Sequence, residues 1–200
     1  MASTILSVRF KDALNYACDK HQNQTRKGTD IPYISHLVAV SGLVMEHGGN
    51  EDEAIAALLH DVVEDQGGEE MLNEIREKFG ENVAEIVEGC SDSFSDDPED
   101  KLPWKDRKQA YINHLATDAS PSTLLVSMAD KLHNARAMLT DYSFIGEPFW
   151  TRFNATREEE KWYYRQLLEA FRNRKVPPSL YREFERVVNN LTEAIEKGVK

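Results

Sequence analysis

The chain has 200 residues, of which 40% are apolar, enough to build one real core, with at most a helical segment appended to it. With 35 acidic against 24 basic residues the formal charge is −11, which argues against broad nucleic-acid or anionic-membrane binding and requires any anionic ligand to be met by local cations. Cys18 and Cys90 stand alone with no CxxC spacing, and no apolar segment reaches 18 residues, so the expectation is a cytoplasmic, soluble protein with neither disulfides nor a zinc-finger site.

Helices are predicted almost throughout. Residues from about Val8 to Gln22 carry a helical apolar pattern, and Gln24 to Asp30 read as a loop. Pro32 suits the first turn of a second helix reaching about His47, which Gly48-Gly49 ends. Asn50, with Glu53 three residues on, forms a capping pair for a third helix. That helix contains the run Ala54-Ile55-Ala56-Ala57-Leu58-Leu59, apolar on every face and therefore buried, and it ends in His60-Asp61. Glu64 to Gly68 is expected to break it.

Two shorter helices follow, at about Glu69 to Phe79 and Asn82 to Cys90, and Ser91 to Pro103 reads as an acidic, mobile surface loop. A sixth helix runs from Trp104 to about Ala116, and Ser120-Pro121 caps a seventh. The seventh carries Leu125, Met128, Leu132, Ala135 and Leu139 on one face, with Asp130 and Asn134 together on another. Helices from about Asn154 to Asn173 and Pro178 to Lys197 finish the chain. No strand alternation is present, so the predicted class is all-α: a metal-binding core over about 8–145 and C-terminal helices over about 150–198 within a single domain. Aromatic residues of the last two helices leave room for a homo-oligomer interface.

His36, His60, Asp61 and Asp130 are two imidazoles and two carboxylates on three of these helices. An isolated buried carboxylate carries a large desolvation cost, and a bound cation is one of the few arrangements that removes it. Such a nitrogen and oxygen set suits Mn, Fe, Zn or Mg and leaves coordination positions for water and a phosphate oxygen, as metal-assisted hydrolysis requires. Glu64 and Asp65 follow His60 and Asp61 by four residues, so at least one of these carboxylates should face the same cavity as a general acid or base.

These four residues match the H…HD…D pattern of the HD phosphohydrolase superfamily. The fuller set, Arg26-Lys27 with Pro32-Tyr33-Ile34-Ser35-His36, Leu58-Leu59-His60-Asp61-Val62-Val63-Glu64-Asp65, and Ala129-Asp130-Lys131-Leu132-His133-Asn134-Ala135-Arg136, resembles the hydrolase domain of the RelA/SpoT homologues. The resemblance covers roughly residues 10 to 140, and the length leaves no space for the other domains of the long relatives. It implies an HD-domain helical bundle, a divalent cofactor that in the family is usually Mn²⁺, and removal of the 3′-pyrophosphate from guanosine tetra- or pentaphosphate. It further implies His36, His60, Asp61 and Asp130 as metal ligands and Glu64 and Asp65 as catalytic carboxylates. Asn134 is implied at the ribose or its 3′ substituent, Arg26 and Lys27 at base and phosphate, and Arg107, from a looser match at Pro103 to Lys108, at phosphate.

The chain departs from many relatives in having Leu37 after His36 and Gln66-Gly67-Gly68 after the Glu-Asp pair. Neither touches an expected ligand, but both bear on the pocket mouth, as does the acidic stretch around Asp92 to Asp100. An adenosine analogue or another phosphorylated nucleotide such as NADPH therefore stays open as substrate, with a non-catalytic nucleotide sensor as the other class. His21, His47, His114 and His133 read as structural or exposed, and Trp150, Trp162, Tyr163 and Tyr164 as core or interface.

Overall fold

A computed structural model describes residues 4–93 and 102–198. Ten α-helices occur among the described residues: α1 Val8–Lys20, α2 Ile34–Glu46, α3 Glu51–Leu59, α4 Val62–Gln66, α5 Gly68–Phe79, α6 Glu81–Cys90, α7 Trp104–Thr117, α8 Pro121–Ile145, α9 Arg157–Arg172 and α10 Pro178–Lys197. A 3-10 helix, Glu147–Arg152, joins α8 to α9. No strand is present among the described residues, in agreement with the all-α class; one isolated antiparallel bridge pairs Thr25 with Pro32.

Local chemistry sets the helix ends. Asn50 accepts the Glu53 backbone N–H at 3.1 Å while Glu53 returns a carboxylate to the Asn50 N–H at 2.7 Å, a reciprocal cap that satisfies two donors a helix start leaves open. Ser120 caps α8 through the Thr123 N–H, with Pro121 in the first turn. Gly146, at φ +70°, stops α8 after 25 residues.

All six residues from Ala54 to Leu59 are buried, as their uninterrupted apolar character requires. The helix that holds them, α3, packs against α1, α2, α6 and α8, and α8 packs in turn against α2, α6 and α10. One apolar core runs from Ala13 to Ile195, so the last helices share it with the first eight.

Three expectations are corrected. The second helix starts at Ile34, because Pro32 is committed to the bridge with Thr25; Arg26 N–H to Ile31 O (2.8 Å) and Tyr33 N–H to Gln24 O (2.9 Å) close residues 24–33 into a tight loop. The segment after His60-Asp61 does not simply break the helix, since the chain turns at those two residues and resumes as α4, which carries Glu64 and Asp65. The aromatic residues of α9 and α10 are not exposed: Tyr163, Tyr164, Phe171 and Phe184 are buried, and Trp162 and Tyr181 pack partly against the core. The exposed aromatic face expected on these two helices is therefore not found among the described residues. Of the acidic loop, Ser91 to Ser93 are described and residues 94–101 lie outside the described residues. No helix among the described residues is long and apolar enough to cross a membrane.

Candidate active site

The bend at His60-Asp61 turns both side chains toward α2 and α8. His36, His60 and Asp130 are buried and present ligand atoms within 4.8 Å of one another. His36 Nε2 is 3.2 Å from Asp130 Oδ1 and 3.5 Å from Asp61 Oδ2; His60 Nε2 is 3.1 Å from Asp61 Oδ2 and 3.5 Å from Asp130 Oδ1. All four expected ligands therefore converge, although they come from positions up to 94 residues apart.

The far nitrogen of each imidazole fixes the near one. His60 Nδ1 donates to Ala57 O at 2.8 Å, which leaves the Nε2 lone pair facing the carboxylates. His36 Nδ1 lies 2.8 Å from His133 Nδ1. Burial, His36 and Arg26 push the His133 pKa down to about 4, so His133 is neutral and leaves one ring nitrogen free to accept from His36 Nδ1–H when the His36 Nε2 lone pair faces the carboxylates. His133, expected to be structural or exposed, thus fixes the ring of an expected ligand, His36.

Neither Nε2 makes a hydrogen bond, and both are buried. Two unpartnered imidazole nitrogens beside two carboxylates fit a divalent cation of hard or borderline character. The charges agree. Burial opposes a proton on His60, yet Asp61 and Asp130 outweigh it and raise its pKa, and the same field attracts a cation. Burial likewise opposes ionised Asp130, but Lys131 first and then the imidazoles hold its carboxyl well below the usual range.

Neighbours hold each carboxylate in place. Tyr33 OH donates to Asp61 Oδ2 at 2.6 Å, and burial together with the Asp61 and Asp65 charges keeps the phenol protonated. Lys131 Nζ sits 2.6 Å from Asp130 Oδ2 and Asn134 Nδ2 donates to Asp130 Oδ1 at 2.6 Å. Arg26 Nη2 in turn donates to Asn134 Oδ1 at 2.6 Å. A chain of contacts consequently links the loop at residues 24–33 to the cluster.

Beside the cluster opens a cavity of about 740 Å³, with Arg26, Lys27, Tyr33, Asp65, His133 and Asn134 on its wall. A smaller lobe of about 260 Å³ adds Glu64 and Arg107, and the two share Lys27, Asp65, Trp104, Lys108, Phe153 and Glu160. The four expected ligands lie just behind this wall. Asp61, with 18% of its side chain exposed against 0% for His36, 3% for His60 and 5% for Asp130, is the most exposed of the four. The volume and the mixture of aromatic, cationic and hydroxyl-bearing walls suit a nucleotide.

Glu64 accepts the Asp92 N–H at 2.6 Å, and burial followed by the Asp92 charge pushes its pKa up to about 7. Asp65 accepts from Gln24 Nε2 at 2.8 Å; burial and the Asp61 charge raise its pKa, while the Gln24 bond works against them. Arg107 is engaged rather than free, pairing with Asp92 and donating from Nε to Leu102 O at 3.1 Å.

Sequence reasoning missed Asp92, placed in a mobile loop. Its side chain is 3% exposed and pairs with both Arg107 and Lys108, so this end of the loop is anchored. Only the tertiary pairing marks it, because one Asp among many in an acidic stretch carries no local signal. Asp92→Ala leaves two partly buried cations without their anion; a loss of about 3 kcal/mol is expected, lowering Tm by roughly 6–12 °C in a thermal melt. An unchanged Tm would show that the pairing carries no stability. Tyr163 and Tyr164 were also undervalued, since they pack in the core and line the cavity as well.

An all-helical bundle that gathers two imidazoles and two carboxylates beside a nucleotide-sized cavity has the architecture of a metal-dependent hydrolase of the HD type. A family model described as an HD domain matches residues 13–143, and the chain belongs to that family. Among its relatives, guanosine-3′,5′-bis(diphosphate) 3′-pyrophosphohydrolase MESH1 of Xenopus tropicalis is 39% identical over 128 residues, covering 62% of this chain and 66% of the relative. The human MESH1 is 36% identical over 133 residues, covering 65% of this chain and 69% of the relative. The bifunctional (p)ppGpp synthase/hydrolase SpoT of Escherichia coli is 35% identical over 135 residues, which span 18% of its length. A solved structure described as a metazoan ortholog of SpoT that hydrolyses ppGpp superposes with a TM-score of 0.73 at 27% identity, covering 93% of this chain and 97% of that one.

Proposed function

We propose that this protein hydrolyses the 3′-pyrophosphate of guanosine 3′,5′-bis(diphosphate) or pentaphosphate, releasing pyrophosphate and GDP or GTP. The observation that carries the reading is the pair of buried, unbonded Nε2 atoms of His36 and His60 turned toward Asp61 and Asp130 beside a cavity edged with cations. His36, His60, Asp61 and Asp130 would hold the cation, and we take it to be Mn²⁺. When bound, such an ion supplies Lewis-acid stabilisation of charge on the phosphoryl oxygens.

The chain's own residues do the rest. Glu64, with a pKa of about 7, takes a proton from water as its oxygen attacks the 3′ phosphorus. The bond from phosphorus to the ribose 3′ oxygen breaks, and that oxygen takes up the proton that Glu64 removed from the water. Asp65, open to the cavity and fixed by Gln24, orients the water. Asn134 reaches the ribose or its 3′ substituent, Arg26 and Lys27 meet base and phosphate, and Arg107 with Lys108 adds positive field at the smaller lobe. Relatives named as (p)ppGpp 3′-pyrophosphohydrolases support this substrate. The free thiols Cys18 and Cys90 agree with a cytoplasmic setting.

The test is incubation of the purified protein with Mn²⁺ and ppGpp, with ppApp and NADPH in parallel. Pyrophosphate release from ppGpp is expected; retained ppGpp binding without release would instead make the protein a sensor, and faster turnover of ppApp or NADPH would reassign the substrate.

A further inference from the structure

The loop that carries Arg26 and Lys27 is closed by its own backbone bonds, but those do not hold it against the rest of the molecule. A side chain from the far wall does. Arg152, the last residue of the 3-10 helix and outside the residues matched to the family model, lies across Gly28. A Cβ at position 28 would stand 2.6 Å from Arg152 Cδ and 2.8 Å from Cγ and Nε, so the two chains touch where only glycine leaves room. Gly28 also has φ +72°, which a residue with a side chain rarely adopts.

Arg152 is itself held from behind. Its Nη1 donates to Asp141 Oδ2 at 2.9 Å, and its guanidinium carbon is 5.4 Å from the Phe149 ring centroid. Asp141 follows Asp130 by eleven residues on α8, close to three full turns, so it shares Asp130's face about 16 Å further along. The next residue, Phe153, places its ring 5.4 Å from Lys27 Nζ. The loop is thereby gripped at Gly28 and Lys27 on one side and joined through Arg26 to Asn134 on the other.

We propose that Arg152, pinned by Asp141, is a positioning residue that clamps the Arg26–Lys27 loop against α8 and so pre-forms the nucleotide-binding wall of the cavity. The clamp touches no reacting atom. It keeps the loop in its binding-competent arrangement, and an apparent affinity falls in proportion to the fraction of molecules in that arrangement. The kinetic part rests on the hydrolase reading above; the clamp itself does not.

Two readouts separate them. In Arg152→Ala the KM for ppGpp is expected to rise about tenfold with a smaller fall in kcat, because Arg26 and Lys27 meet the nucleotide while the loop reaches the cluster only indirectly, through Gln24 to Asp65 and through Asn134 to Asp130. Arg152→Lys should recover part of the effect, since it keeps the Cγ and Cδ methylenes that lie over Gly28 and offers Asp141 an ammonium in place of the Nη1 donor. In the same variants, amide hydrogen exchange at Arg26 and Tyr33, whose N–H groups close the loop, should quicken at least tenfold, while exchange within α3 stays unchanged. Asp141→Ala, which unpins Arg152 without straining the loop backbone, should reproduce both effects and also serves if Arg152→Ala fails to fold. Unaltered loop exchange in Arg152→Ala and Asp141→Ala would overturn the clamp. Quickened exchange in a protein that leaves ppGpp intact would uphold the clamp and refute the hydrolase reading. A fall in kcat at unchanged KM would overturn its assignment to binding.

Discussion

Asp61→Ala is expected to abolish Mn²⁺ binding and to lower hydrolysis of ppGpp by at least about a thousandfold, or about 4 kcal/mol of transition-state stabilisation. Asp61 approaches the Nε2 atoms of both histidines, at 3.5 Å and 3.1 Å, and is the most exposed of the four proposed ligands. Its removal deletes one of two negative charges that favour a cation there. The fold should tolerate the change better than Asp130→Ala, which would strand partly buried Lys131 without the carboxylate that holds it 2.6 Å away. Isothermal titration with Mn²⁺, together with the rate of pyrophosphate release, reads both effects. An Asp61→Ala protein that binds the ion and turns over would remove Asp61 from the ligand set.

How much of this was legible in the chain depends on the range of the interaction. Asn50 with Glu53 and Ser120 with Pro121 announce helix starts because cap and partner are three residues apart or fewer, and the run from Ala54 to Leu59 announces burial because no face of it is polar. The four expected ligands were legible by residue type and by family resemblance, and the helices bring their side chains together. What escaped was fixed by contacts between distant positions: His133 on His36, 97 residues away, Asp92 on Glu64, 28 residues away, and Arg152 across Gly28. No periodicity or propensity encodes such pairs. The bend that creates α4 escaped for a related reason, since helical patterning continues through His60-Asp61 while the backbone turns to direct both side chains at partners on α2 and α8.

Glu64→Gln should leave Mn²⁺ affinity unchanged and reduce kcat by about a hundredfold or more, the range that a positioned general base contributes. The pH profile makes the assignment specific. Burial and the Asp92 charge hold the Glu64 carboxyl protonated up to about pH 7, and only the ionised form can accept a proton from water. Wild-type kcat should therefore rise with pH and level off above a midpoint near 7, and this limb should vanish in Glu64→Gln, whose amide does not titrate. The same group has the opposite influence on stability. With its folded pKa raised above the ordinary carboxylate value, the folded state binds more protons than the unfolded one between about pH 4.5 and 7, so Glu64 stabilises at the acid end of that window and progressively less as pH rises through it. Activity and Glu64's contribution to stability should then change in opposite directions across this interval, and in Glu64→Gln both dependences should flatten together. A residual ascending limb near pH 7 in the glutamine variant would shift the base role to another group, with Asp65, whose pKa is also raised, as the next candidate to substitute.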